Sequence, residues 1–172
     1  MPRSTERAAL RPPATAYVAL GANLGDARAT LDAAFVALAG LPGTTLRAAS
    51  SLYRSAPIDS SGPDYLNAVV RLDTALAPRA LLAALHRIEQ RHGRARPYRN
   101  APRTLDLDLL LHDSRRLAGP ALTLPHPRLH ERAFVLRPLA EIAPHLVIPG
   151  RGPVNALLPH VDGQRIDKLP PC

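Results

Sequence analysis

Two helical stretches and four strand-like apolar runs follow one another along the chain in the order β-α-β-β-α-β. That order predicts an α+β fold, a ferredoxin-like βαββαβ sandwich, with an added C-terminal hairpin and helix. A second observation fixes where its chemistry should lie: the run RTLDLDLLL, Arg103 to Leu111, alternates leucine with aspartate. A third is length, since 172 residues make one domain with a sizeable core and leave little for a second. The expected division is a frayed arm over residues 1–14, a domain over 15–160 and a tail over 161–172.

Each element has its own signal. TAYVALG, Thr15 to Gly21, reads as a buried strand that runs into a turn at GANLGD. Asp26 is placed to cap a helix over Ala27 to Ala39, in which Leu31, Phe35 and Leu38 recur at i, i+4 and i+7. LPG at 41–43 stops it, and a second strand is predicted over Thr44 to Tyr53. A polar loop leads to a third strand, YLNAVVRLD, Tyr65 to Asp73. Pro78 opens a helix carrying Leu81, Leu82, Leu85 and Ile88 that ends near Gly93. RTLDLDLLL follows as strand four. A short hairpin around Arg116 to Leu124, a helix near Glu131 to Ile142 interrupted at Pro138, and a Pro-rich tail complete the chain.

Composition excludes several classes. Hydrophobic residues at 46% and charged residues at 21% are ordinary for a folded domain. No apolar run approaches the roughly 18–20 residues of a membrane helix, and the first twenty residues lack a secretory core, so the expected location is the cytoplasm. The single cysteine, Cys172, can form neither an intrachain disulfide nor a zinc cluster. The net charge of +8 comes almost wholly from arginine, since Lys168 is the only lysine. Six arginines (Arg87, Arg91, Arg94, Arg96, Arg99, Arg103) face one acid, Glu89, just before the aspartate pair, and such a segment attracts phosphate.

On a strand, Leu105, Leu107 and Leu109 point one way while Asp106 and Asp108 share the other face. About 6.5 Å apart, the two carboxylates would repel by roughly 2.5 kcal/mol at an effective dielectric of about 20. A solvated edge strand would relieve that repulsion, and so would a cation. Leu110 and Leu111 make the run apolar on both sides, which predicts a central strand whose charged face opens into a cleft at one end. Mg²⁺ suits such a site, because one or two carboxylates usually hold it together with water and substrate phosphates. With the arginines upstream, the pattern points to phosphoryl-type chemistry on a metal nucleotide. GANLGD lacks the Gly-Lys-Ser/Thr ending of a P-loop and the spacing of a dinucleotide fingerprint, so it reads as a turn whose backbone could line a pocket. Leu82, His86 and Glu89 fall at i, i+4 and i+7, on a stripe that faces either a ligand or the solvated border of the helix.

RNAPRTLDLDLL, Arg99 to Leu110, resembles the signature of the 6-hydroxymethyl-7,8-dihydropterin pyrophosphokinase family of folate synthesis. YVALGANLGD, SSLYRSAPI, GPDYLNAVVRL, RIEQRHGRAR and LTLPHPRLHERAFVLRPLAEIAP extend the resemblance over roughly residues 16–150. It implies transfer of the pyrophosphoryl unit of ATP to the pterin's hydroxymethyl oxygen, with release of AMP. Two Mg²⁺ ions would be held by Asp106 and Asp108. Arg94, Arg96 and Arg103 match the catalytic phosphate clamp, and His86, Glu89, Thr123, His126 and Arg132 match further positions on the ATP side. Tyr65 and Phe134 match the aromatic pair that sandwiches the pterin, Asn67 a polar contact to its edge, and Ser55, Ala56, Pro57 and Ile58 the loop lining the same pocket. No general base stands out, which suits chemistry driven by positioning and electrostatics.

Some members have tryptophan where Asn100 stands, lysine where Pro97 stands and glutamine where His86 stands. The loop over 93–103 is expected to supply the conformational step, closing over ATP. The implied partners are the small-molecule pterin and ATP, with no nucleic acid, no membrane and a monomeric state. The rival classes are a basic ferredoxin-like nucleic-acid-binding module, which would need more strand aromatics than this chain has, and an acylphosphatase-like phosphohydrolase, which gives the aspartates no task.

Overall fold

The computed structural model describes residues 12–57, 62–92 and 105–171. Its center is an antiparallel six-stranded sheet built from β1 (Ala14–Ala22), β2 (Thr44–Ala49), β3 (Tyr53–Ser55), β4 (Tyr65–Thr74), β5 (Asp106–His112) and β10 (Ile166–Lys168). The strand order is β10-β3-β4-β1-β5, and β2 also pairs with β4. Helices α1 (Ala27–Ala39) and α2 (Pro78–His92) cover one face, and α3 (Ala133–Ile142) covers the other. Small hairpins β6/β7 (Leu117–Ala118, Thr123–Leu124) and β8/β9 (Val147–Ile148, Gly152–Pro153) and a short helix α4 (Val154–Leu157) complete the described residues. None of the described helices is long and apolar enough to cross a membrane.

The alternation of the strands creates two cores, one on each face. Ala16, Val18 and Leu20 of β1 join Val70 and Leu72 of β4 and Leu107 and Leu109 of β5 against Leu31, Leu38, Leu81, Leu85 and Ile88 of the two helices. On the opposite face Tyr17, Ala19, Val69, Leu110 and Leu111 pack on Val135, Leu136 and Leu139 of α3. Each fully buried leucine stabilises the fold by roughly 1.5–3 kcal/mol, so both faces are strongly specified. α1 begins as predicted, with Asp26 Oδ1 accepting the Ala29 N–H at 3.0 Å. Gly25, at φ +61°, makes the turn that precedes it.

Four expectations are corrected. The single strand predicted over Thr44 to Tyr53 is two strands. Between them residues 50–52 stand opposite only residues 68 and 69 of β4. Ser50 stays attached there, its N–H donating to Val69 O and its Oγ accepting the Val69 N–H, both at 2.9 Å. The Ser51 N–H turns away to Glu141.

The strand carrying the aspartates is not central, since β5 lies at one end of the sheet. Leu110 and Leu111 are both apolar because the register shifts between Tyr17 and Val18, leaving Leu110 as an extra residue that turns to the same core as Leu111. Its carbonyl accepts the His126 N–H at 2.9 Å, which covers part of the free edge.

Pro138 does not interrupt the C-terminal helix. α3 runs through it, giving up one N–H donor while the residue is buried. The helix starts at Ala133 because Leu129–Glu131 forms a separate 3₁₀ turn and Arg132 is extended. Finally, the segment expected as a tail supplies β10, which pairs with β3. It also supplies Gln164, whose side chain accepts the Ala133 N–H and donates to Glu131 O at the start of α3. Of the expected arm, residues 1–11 lie outside the described residues, and Ala14 already belongs to β1.

Glu141 joins three parts of this architecture. Its carboxylate accepts the Ser51 N–H at 3.0 and 3.1 Å, the Ser51 hydroxyl at 3.0 Å and the Tyr53 hydroxyl at 2.6 Å, and Lys168 of β10 stands 4.0 Å away. Burial pushes its carboxyl upward, but the hydrogen bonds from Tyr53 and Ser51, with the Lys168 ammonium, outweigh that and hold it below the usual range. Its stabilisation is therefore present above the unfolded-state value and fades as pH falls through the folded one. Glu141→Gln is expected to lose roughly 1–2 kcal/mol at pH 7, and the gap from the wild type should narrow as the medium is acidified below about pH 4. Urea titrations at pH 7 and pH 3.5 measure this; a gap that does not change with pH would show that the carboxylate charge is not what holds the joint.

Candidate active site

Cross-strand register builds the site. Tyr53 pairs with Asn67, Asn67 with Gly21 and Gly21 with Asp106, so one row crosses β3, β4, β1 and β5 on the α3 face. A neighboring row brings Val69, Ala19 and Asp108 together, and another pairs Ser55 with Tyr65. Directly opposed residues share a face, so the sequence-distant positions converge. Gly21 leaves a gap in the first row. A Cβ there would sit 3.6 Å from Asn67 Oδ1 and 4.0 Å from Tyr65 Cδ1, ordinary contact distances, so the missing side chain opens the floor without relieving a clash.

A cavity of about 360 Å³ stands above that floor, within the size range of small-molecule sites. Of the residues expected to line a pterin pocket, it gathers Ser55, Ala56, Pro57, Tyr65, Asn67 and Phe134. Asp106, Asp108 and Arg132 share the same walls. Phe134 comes from the first turn of α3, and the Arg132 guanidinium lies 5.4 Å from the center of its ring. Asn67 is buried; its amide donates to Tyr53 O at 3.3 Å and to Ser55 Oγ at 2.7 Å. A backbone carbonyl only accepts, so the Tyr53 contact fixes the NH₂ on the β3 side and turns the carboxamide oxygen toward Gly21.

A second cavity, of about 250 Å³, lies against α2 and the β6/β7 hairpin. It gathers His86, Glu89, Thr123 and His126, with Leu82, Leu107 and the 119–122 turn. The stripe read on α2 therefore faces this cavity. Glu89 also accepts the Leu107 N–H of β5 at 2.9 Å. His126 Nδ1 accepts the Arg128 N–H at 3.2 Å, which places the remaining proton on Nε2 of the neutral ring. Burial pushes this imidazole below its usual range. Arg132 and Arg128 push the same way, and Asp108 opposes them.

Asp108 lies on the wall of both cavities. Both aspartates are half-buried, on the strand face away from Leu105, Leu107 and Leu109, as the alternation predicts. Among the described residues no cluster of three or more His, Cys, Asp or Glu side chains could hold a metal alone. Two carboxylates, to be completed by water and phosphate, make the kind of donor set that Mg²⁺ favours. Arg94, Arg96, Arg103 and Ile58, and the loop over 93–103, lie outside the described residues. The sequence reading missed Ala19, Leu20 and the 119–122 turn as cavity walls. It allowed a backbone role for GANLGD, and Gly21 has that role from the end of β1 rather than from a turn.

A family model described as 7,8-dihydro-6-hydroxymethylpterin-pyrophosphokinase (HPPK) matches residues 17–144. The chain is 42% identical over 158 residues to the 2-amino-4-hydroxy-6-hydroxymethyldihydropteridine pyrophosphokinase of Haemophilus influenzae, covering 91% of this chain and 99% of that one. The enzyme of the same name from Pseudomonas aeruginosa is 46% identical over 155 residues, covering 90% and 96%. Among solved structures, a Plasmodium falciparum HPPK-DHPS triple mutant superposes with a TM-score of 0.71 at 13% identity. The match covers 88% of this chain but 44% of that longer one, and it bears on the fold alone. With the family model spanning most of the chain and close relatives matched over nearly their whole length, the chain belongs to the 7,8-dihydro-6-hydroxymethylpterin-pyrophosphokinase family.

Proposed function

We propose that the two cavities divide one reaction between them, the pterin occupying the first and ATP the second, with Asp108 at the boundary. As a member of its family the chain is a pyrophosphokinase acting on a hydroxymethyl-dihydropterin in folate biosynthesis. The transferred unit comes from ATP, and AMP is released. The observation that carries the reading is the position of Asp108 on both walls, since a group that serves attacking and leaving oxygens must reach both substrates.

In the first cavity Tyr65 and Phe134 offer aromatic faces to a flat ring, and the Asn67 oxygen can accept from a ring N–H or amino group. Ser55, Ala56, Pro57 and Ile58 would form the remaining wall. In the second, His86, Glu89 and Thr123 would meet the nucleoside side, and His126 can donate from Nε2 to a phosphate oxygen. Arg132 lies on the first cavity, within reach of charge developing near the transferred group. Arg94, Arg96 and Arg103 would clamp phosphates from the loop before β5, and closure of that loop is proposed as the conformational step. Asp106 and Asp108 would hold two Mg²⁺ ions, which when bound would neutralise phosphate charge and polarise the phosphoryl oxygens. The strand order β5-β1-β4-β2, with α1 and α2 on one face, supports the ferredoxin-like reading of the fold.

The direct assay mixes protein, Mg²⁺ and ATP and follows AMP. Its formation should require added hydroxymethyl-dihydropterin, whereas release of inorganic phosphate without a pterin would favour the phosphohydrolase reading. Asp106→Ala and Asp108→Ala are each expected to lower kcat by about 10²- to 10³-fold with the far-UV circular dichroism unchanged; rates near wild type would refute the metal assignment. Phe134→Ala should raise KM for the pterin by about tenfold and leave KM for ATP within about twofold. Equal changes in both constants would argue against separate cavities.

A further inference from the structure

We propose that Glu141 is a positioning residue for the pterin slot, acting through Tyr53 on Asn67. The inference rests on the reading of the first cavity as that slot. Glu141 itself is not on the cavity wall. It lies in the last turn of α3, seven residues beyond Phe134, about 10 Å along the helix axis. One helix therefore carries an aromatic wall of the slot at its start and an anchor at its end.

The anchor grips the strand that forms the opposite wall. Tyr53 is buried, and its hydroxyl donates to Glu141 Oε1 at 2.6 Å. Burial and that hydrogen bond raise the phenol above its usual range, so it remains a donor at any physiological pH. The Ser51 N–H and hydroxyl bind the same carboxylate at the break between β2 and β3. β3 has only three residues and needs this support, since its other neighbor, β10, is equally short.

What β3 offers to Asn67 is the Tyr53 carbonyl and the Ser55 hydroxyl, and both take hydrogen bonds from its amide, which lines the cavity. Those bonds determine which end of Asn67 faces the ligand. A shift of Tyr53 would release the amide, and the turned side chain would offer NH₂ where the acceptor now stands. Glu141 thus sets both the distance from α3 to β3 and the hydrogen-bonding sense of the cavity floor, at a position that touches no substrate.

The test compares Tyr53→Phe, Glu141→Gln and Asn67→Ala, and the double variant Tyr53→Phe/Asn67→Ala, by steady-state kinetics in both substrates. Tyr53→Phe, which removes one oxygen, and Glu141→Gln should each raise KM for the pterin by about three- to tenfold, with KM for ATP and kcat within about twofold. The double variant should be no worse than Asn67→Ala, because the effect of Tyr53 passes through Asn67. A loss of kcat at unchanged pterin KM, or a double variant equal to the product of the singles, would reduce the link to fold maintenance and overturn the proposal. Tyr53→Phe alone suffices should Glu141→Gln fail to fold. If Asn67→Ala leaves pterin KM unchanged, the slot assignment itself fails; if Asn67→Ala raises it while Tyr53→Phe and Glu141→Gln do not, only the positioning role fails.

Discussion

Register between neighboring strands is the constraint on which the site depends. Antiparallel hydrogen bonding places Tyr53, Asn67, Gly21 and Asp106 side by side although they come from four separate segments of the chain. A slip of one residue in any of the three pairings would send one of these side chains to the opposite face, into a leucine core. The two cores oppose such a slip, because each apolar face would have to be exposed to make it. The leucines alternating with the aspartates therefore do more than fill space: they hold the carboxylates on the face where the cavity opens.

Electrostatics builds on that geometry. Two half-buried carboxylates two residues apart repel each other, and a cavity carrying them favours cations and metal-bound phosphates over free anions. His126, kept neutral by burial and by neighboring arginines, can donate without adding a full charge. The arginine-rich segment ahead of β5 would supply phosphate attraction beyond the described residues. In a chain of net charge +8 the acidic pair is a local exception, and it marks where metal and substrate would meet.

The second face of the sheet shows how one helix serves packing and recognition together. α3 buries Val135, Leu136 and Leu139 against the sheet, brings Phe134 to the cavity and, in its last turn, sets Glu141 on the β2–β3 joint. The C-terminal segment braces both ends, through Gln164 at the start of α3 and Lys168 near Glu141. Residues that read as a Pro-rich tail thus contact both ends of the helix that carries Phe134.

Local patterns in the sequence were enough to determine the first two helices, the capping aspartate, the order of the main strands and the common face of Asp106 and Asp108, because periodicities of 3.6 and 2 are carried by neighboring residues. The resemblance of ordered motifs pointed to the family and to most of the cavity-lining residues. Only the tertiary structure decided that β5 ends the sheet, that residues 50–52 break a strand, that β10 joins it and that Glu141 reaches Tyr53. Each of these rests on hydrogen bonds between segments far apart in the chain, and no local spacing encodes which distant partner a backbone N–H or a carboxylate will find.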